Sequence, residues 1–260
     1  DVKSLAFSWI NHTLLFSQRW GYSGKGQSKE EKQKQREELL WPTYERIKAD
    51  IERLGLFEPT LIYGYFPARS HHNRLYLFDE TEGYFSDEAA NREAIDVVAK
   101  RAIKFFDFPR QNRAPYRSLS DFISPARHDV IALTCVSAGS KFSQYEKELY
   151  DAGNYQEYFF VHGLGVELAE ALAEIVHKQI RLDLGIAEHE GHSLRDVQMK
   201  RYHGCRYSFG YPACPALEDT QIIFDLLKPE EFGIELSETF QIHPEQSTTA
   251  IVMHHKEALY

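Results

Sequence analysis

The residues Arg206-Tyr207-Ser208-Phe209-Gly210-Tyr211-Pro212-Ala213-Cys214-Pro215 combine ligand-recognising side chains with a backbone that cannot form a long regular element. Gly210 can take a positive φ, while Pro212 and Pro215 hold φ near about −65° and each removes a backbone donor. A rigid, irregular loop of this kind leaves carbonyls without helical or strand partners. Those carbonyls face water or a ligand that brings its own donors, such as an adenine amino group. Arg206 offers a planar fork that matches a carboxylate or phosphate, and Tyr207 and Tyr211 offer faces on which a base can stack. The same composition suits a Pro-rich turn capping a helix that begins near Leu217, and spacing alone does not separate the two readings.

A second candidate set lies on the helix expected over 156–183. Glu167, Glu170, Glu174 and His177 recur at i, i+3, i+7 and i+10, which gathers them into one stripe. The stripe is either a solvated face or the wall of a ligand cleft. In the second case Glu170 would pair with an ammonium group or with ribose hydroxyls. Other chemistries have less support. His71-His72 and His254-His255 are adjacent pairs rather than His-x-x-x-His, and Cys205 to Cys214 spans a loop without an ordered ligand pattern, so no metal site is expected. There is no Gly-x-Ser-x-Gly, and Cys214, between Ala and Pro, reads as buried packing rather than a nucleophile. Dinucleotide and P-loop glycine patterns are absent as well.

The elements that must position these residues read as follows. Ser28 and Glu31 fit a capping box, and Leu40, Tyr44, Ile47, Ile51 and Leu54 repeat at helical spacing until Gly55, which predicts a helix over 28–55. Residues 60–66 and 74–78 read as a hairpin joined by a polar loop, followed by a helical stretch near 90–106. Residues 129–136 form a nearly continuous apolar run, as expected of a strand buried on both faces. On the helix over 156–183, Val161, Leu164, Leu168, Leu172, Ile175 and Gln179 define the packing side. A charged connector over 188–201 leads to the loop. Beyond the loop come a helix over 217–227 and strands over 233–242 and 247–254. The expectation is one α+β domain: a mostly antiparallel sheet with the helices near 28–55 and 156–183 packed on it.

Composition narrows the function classes. A chain of 260 residues with 43% hydrophobic residues can bury a sizeable core. The net charge of −9, with basic residues interspersed among acids, argues against a nucleic-acid surface. Three Cys without a Cys-x-x-Cys spacing make a disulfide framework an unattractive reading and favour the cytoplasm. Apolar runs fall well short of the ~20 residues that span a bilayer. The start at Asp1, without Met, suggests an excised fragment or a trimmed product.

The pattern Arg-x-x-x-Gly-Tyr-Pro-Ala-Cys-Pro over 206–215 resembles the S-adenosylmethionine-binding signature of the C-terminal reactivation domain of cobalamin-dependent methionine synthase. Similar pieces occur in the same order at Ile10-Asn11-His12-Thr13, Gly64-Tyr65-Phe66-Pro67-Ala68, Phe108-Pro109-Arg110-Gln111, Leu119-Ser120-Asp121-Phe122, 168–174 and Leu236-Ser237-Glu238, so the resemblance covers nearly the whole chain. It implies a curved sheet with the ligand on its inner side. It also implies a module that binds S-adenosylmethionine and hands its methyl group to cobalamin, after the inert cob(II) state has been reduced by flavodoxin or a similar reductase. Cobalamin itself would be bound by a neighbouring domain of the same enzyme, and the isolated domain would not turn over.

By the same resemblance, Arg206 would take the methionine carboxylate, and the backbone of Tyr207, Ser208, Gly210 and Tyr211 would take adenine. Glu170 and Tyr260 would line the ribose or amino-acid side, and Asn11 would meet the α-amino group. At the position of Asn11 the family carries an acidic residue, so an amide here is a departure. A free-standing S-adenosylmethionine sensor, or an accessory protein for another corrinoid protein, is the alternative that the sequence leaves open.

Overall fold

The computed structural model describes residues 1–79, 94–188, 190 and 193–258. At the N-terminus, Asp1 caps α1 (Val2–Trp9), and Asn11 caps the single turn α2 (His12–Leu14), which widens into a π-helical turn at Leu15–Arg19. The expected capping box is present: the Ser28 hydroxyl accepts from the Glu31 amide at 3.2 Å, and the Glu31 carboxylate accepts from the Ser28 amide at 2.7 Å. It opens α3 (Lys29–Gln35), which runs through a π-helical turn at Arg36–Leu40 into α4 (Trp41–Leu54) and ends at Gly55. The wide turn precedes Pro42, which has no N–H to continue the regular ladder.

Next come the strands β1 (Thr60–His71) and β2 (Arg74–Leu77), the short helix α5 (Ile95–Val98), and β3 (Lys104–Asp107). The helical stretch expected near 90–106 is therefore corrected. Among the described residues only 95–101 are helical, and 104–107 form an edge strand paired with β2. The local pattern there has period two, with Phe106 fully buried and Phe105 45% exposed. After β4 (Asp129–Ser137) the chain forms α6 (Ser140–Asp151), which the sequence reading did not anticipate, and the long helix α7 (Tyr155–Asp183). The remaining elements are α8 (Leu194–Gln198), β5 (Cys205–Tyr207), α9 (Thr220–Leu227), β6 (Glu235–Leu236), β7 (Ile242–His243) and β8 (Ser247–Met253). In place of one strand over 233–242 there is a small hairpin of β6 and β7, separate from the main sheet. The Ser237 hydroxyl turns it by accepting from the Gln241 amide at 2.9 Å.

The main sheet has the order β3-β2-β1-β4-β8-β5 with every pairing antiparallel, so the fold is the expected single α+β domain with a curled sheet. Residues 131–137 of β4 are all buried, as its apolar run predicted. One face of the sheet presents Ala132, Val136 and Val252 to α7 and the N-terminal helices. The other presents Ile131, Leu133, Ile251 and Met253 to a second core that includes Phe106, Phe209 and Ile223. The apolar side of α7 follows the expected Val161, Leu164, Leu168 and Leu172, then drifts to Val176 and Ile180, while Gln179 is exposed. That drift is what a 3.6-residue repeat gives over a helix of this length.

Two glycines in α7 set how closely its neighbours approach. A Cβ on Gly163 would lie 2.9 Å from the Trp20 ring, and one on Gly165 would lie 2.6 Å from the Phe142 ring. Alanine is ordinarily better than glycine inside a helix by about 1 kcal/mol. At Gly165 overpacking against the fully buried Phe142 costs about 1–3 kcal/mol and reverses the sign. Gly165→Ala is therefore expected to lower the urea midpoint, and a raised midpoint would contradict this packing.

Candidate functional site

Arg206 enters the site because β5 is an antiparallel edge strand. Its register sets Cys205 opposite Met253, Arg206 opposite Val252 and Tyr207 opposite Ile251. Side chains alternate, so Arg206 shares the face of Val252 and α7, while Cys205 and Tyr207 turn to the opposite core. The strand lies tight against β8 because Gly204, at φ +82°, brings its backbone to where a Cβ would meet the Met253 carbonyl at 2.6 Å.

On the α7 side, the guanidinium of Arg206 is held between two carboxylates. Its Nη2 donates to Glu170 Oε2 at 3.0 Å, and its Nη1 donates to Glu174. Burial works against the charge of Arg206, but Glu174 and then Glu170 outweigh it and raise its pKa further. Glu174 also accepts from the Tyr202 hydroxyl at 3.2 Å, and the Arg181 guanidinium lies 3.9 Å over the Tyr202 ring. Arg181 is itself fully buried and paired with Glu190 at 3.1 Å. His177, 1% exposed, sets its ring edge-on to Tyr202, and neither ring nitrogen has a hydrogen-bond partner among the described residues. Burial, followed by Arg181 and Arg206, holds its pKa well below 6.5, so His177 is neutral at pH 7.

A cleft of about 230 Å³ opens beside this arrangement. Trp9, Asn11, Leu14 and Arg19 from the N-terminal helices form one wall. Glu167, Glu170, Ala171 and Glu174 of α7 form another, and Leu194, Val197, Gln198, Lys200 and Arg206 close it. Three cationic and three anionic side chains thus line one small space, which suits a ligand carrying both signs. Glu167 is paired with Arg19 at 2.9 Å, and burial raises its pKa against that pairing. Lys200 is shifted down by burial and by Arg206. A larger open groove of about 700 Å³ lies elsewhere, between α6 and the β6–β7 hairpin, without a comparable set of opposed charges.

The cleft brings together Asn11, Glu170 and Arg206 out of the expected set. The stripe on α7 is a cleft wall and not a solvated face, since Glu167 and His177 are buried. Asn11 spends one lone pair of its side-chain oxygen on the Leu14 amide at 3.2 Å, as the cap of α2. Tyr207 packs half-buried against the second core, so its ring is not an open stacking face, whereas Tyr211 is 67% exposed. Ser208, Gly210 and Tyr211 form the loop after β5, and Gly210 has the expected positive φ of 90°. The carbonyls of this loop are not all open: the Cys214 thiol donates to Ser208 O, the Cys214 amide to Tyr211 O and the Gly210 amide to Cys214 O, each at 2.9 Å. Cys214 is buried, as expected. Tyr260 lies outside the described residues. Sequence reasoning missed Arg19, Lys200 and Tyr202, which follow no spacing rule relative to Arg206.

A family model described as vitamin B12 dependent methionine synthase, activation domain, matches residues 2–260. The chain is 34% identical over 289 residues to methionine synthase of Mycobacterium tuberculosis (strain ATCC 25618 / H37Rv) and 32% identical over 290 residues to that of Mycobacterium leprae (strain TN). Each alignment covers 100% of this chain and 22% of the relative, so the chain spans about a fifth of their length. The solved MetH reactivation domain bound to AdoHcy aligns with a TM-score of 0.79 at 23% identity, covering 100% of this chain and 78% of that one, and shares its fold.

The neutral, buried His177 makes stability depend on pH. As pH falls below 6.5 the unfolded chain takes up a proton at this residue while the folded chain does not, so stability is lost toward acid. His12, pushed down to about 4 by burial and then by Arg36 and Lys48, acts in the same direction. His177→Leu is expected to reduce the drop in denaturation midpoint between about pH 7.5 and about pH 5.5. Equal drops in parent and variant would show that His177 is not held neutral.

Proposed function

Because the chain belongs to the vitamin B12 dependent methionine synthase activation domain family, we propose that it binds S-adenosylmethionine in the cleft beside Arg206 and presents the methyl group to cobalamin on a neighbouring domain. The observation that carries this reading is the convergence of Arg206, Glu170, Glu174 and Asn11, from three distant stretches of sequence, on one cleft of mixed charge. The related reactivation domain was solved with AdoHcy, the molecule left when S-adenosylmethionine gives up its methyl group.

In this reading the amino-acid end of the ligand exchanges into an ion pair that already exists. Glu174 is anchored by Tyr202, while the Glu170 side chain is 46% exposed and is the partner free to move. The ligand carboxylate takes the fork of Arg206. Glu170 turns to the α-ammonium or the ribose hydroxyls, and Asn11 offers its remaining lone pair to the ammonium. The loop over 208–211 meets adenine.

Cobalamin on that neighbouring domain would, in its reduced state, be the acceptor of the methyl group. The pair of the breaking C–S bond stays on sulfur, turning a sulfonium into a neutral thioether, so no base is needed. This chain's contribution is to fix the methyl group in line and to shield it from water. The chain is thus read as one domain of a larger methionine synthase, supplied with electrons by flavodoxin or a similar reductase and silent as a methyltransferase when alone.

Calorimetric titration of the folded chain tests the proposal. S-adenosylmethionine should bind, and Arg206→Lys, which keeps the charge facing Glu174 but not the fork, should weaken binding by roughly 1–2 kcal/mol, about five- to thirtyfold. Absence of binding at about 1 mM ligand, or parental affinity in Arg206→Lys, would overturn it. Asn11→Asp keeps the cap of α2 and adds a charge beside the ammonium, so it should tighten binding modestly, and more at low salt. An equal change for an analogue lacking the α-amino group would remove Asn11 from that contact.

A further inference from the structure

We propose that Glu146, His162 and Glu245 form a binding site for a divalent cation of the zinc class, which clasps the β7–β8 turn onto α6 and α7. The three residues lie on α6, on α7 and in the turn after β7, and one ligand atom from each falls within 4.8 Å of the others. His162 Nδ1 is 3.4 Å from Glu146 Oε2. Two ligands held 2.0–2.1 Å from a tetrahedral centre sit about 3.4 Å apart, so this pair already spans one edge of a coordination tetrahedron.

The second observation is the condition of the Glu146 carboxylate. The residue is only 3% exposed. Its Oε2 accepts from Gln246 Nε2 at 2.7 Å, and the Gln246 amide is itself fixed by the Ser143 hydroxyl, which donates to its oxygen at 2.7 Å. Its Oε1 is buried and has no hydrogen-bond partner among the described residues. Oε2 is thus held by the Gln246 amide while Oε1 is bare, a costly arrangement that a cation bound by both oxygens of Glu146 beside His162 Nδ1 would relieve. A plain ion pair between Glu146 and a protonated His162 engages Oε2 and leaves Oε1 as it is. It also gives no reason for a third ligand group, Glu245, at the same point.

The chemistry of the donors sets the class of ion. One imidazole with two carboxylates favours zinc and similar borderline ions over magnesium or calcium, which take oxygen ligands alone. Tyr158 stacks on the His162 ring at 5.7 Å and restricts its plane. Glu245 is exposed and, with Ser143, lines the open groove beside α6, which provides a path for the ion. Nothing in the spacing of 146, 162 and 245 reveals the set, because three separate elements carry it.

The test is a zinc titration of the chelator-treated, folded chain against a chromophoric competitor, together with its melting temperature. One equivalent should bind and raise the melting temperature. Glu245→Ala, at an exposed position that leaves the fold intact, and His162→Gln should each weaken binding at least about tenfold and abolish the rise. Replacing both His71 and His72 by Ala should change neither. X-ray absorption of the zinc form should show a single imidazole ligand. No binding at about 1 mM zinc, parental affinity in Glu245→Ala, or loss of the site in the His71/His72 variant would overturn the proposal. Should His162→Gln fail to fold, Glu245→Ala still decides. S-adenosylmethionine titration of Glu245→Ala should match the parent, which keeps this test separate from that of the cleft.

Discussion

The site depends on a guanidinium taken out of water. Arg206 has a side chain only 9% exposed, and a charge buried to that extent persists only with well-placed partners. Glu174 and Glu170 are those partners, and they come from a helix while Arg206 comes from a sheet edge. The pairing therefore fixes the position of β5 relative to α7. It requires the close backbone approach at Gly204, the register of β5 on β8, and the Tyr202 hydroxyl that holds Glu174 from behind. The cleft opens beside this pair, where Glu170 is the more exposed of the two carboxylates.

Helix α7 connects that site to the rest of the molecule. One side of it carries Leu164, Leu168, Leu172 and Val176 into the core shared with the sheet. Another carries a polar series, buried at Glu167, His177 and Arg181 and more open at Glu170: Glu167 with Arg19, Glu170 and Glu174 with Arg206, His177 against Tyr202, and Arg181 with Glu190. Each member is matched by a residue from a different part of the chain, so the series works as a set of positional constraints. Removing the partner of a buried member such as Arg181 or Arg206 leaves a buried charge behind, which costs far more than the net worth of the pair. The N-terminal helices are held to the same axis through Trp20, whose indole N–H donates to the Phe160 carbonyl at 3.0 Å beside Gly163.

Much of this was legible in sequence where the signal is local. The capping box at Ser28 and Glu31, the left-handed stop at Gly55 and the two-sided burial of β4 are short-range chemistry, and each appears as expected. So does the gathering of Glu167, Glu170, Glu174 and His177 on one side of α7, since helical spacing alone dictates it. What was missed depends on partners distant in sequence. The paired Phe105 and Phe106 read as helix until β2 is seen to pair with them, and β5 is too short to announce itself. Helix α6 buries only Phe142 and Glu146, which leaves almost no apolar period to detect. The face taken by Tyr207 follows from the register with β8 and from nothing in its neighbourhood. The likeness of 206–215 to the family signature carried more functional information than any periodicity, because no local spacing names a ligand.

In the proposed reading the Arg206 ion pair is a carboxylate site held by the protein's own glutamates until a ligand arrives. A crystal structure of this chain with AdoHcy tests it most directly. The ligand carboxylate should make a two-bond contact with Arg206, with Glu174 still hydrogen-bonded to Tyr202 and Glu170 turned from Arg206 toward the ligand's ammonium or ribose. A bound ligand with Arg206 still closed on both Glu170 and Glu174, and no ligand oxygen within hydrogen-bond reach of it, would show that Arg206 is a structural ion pair and not the carboxylate site.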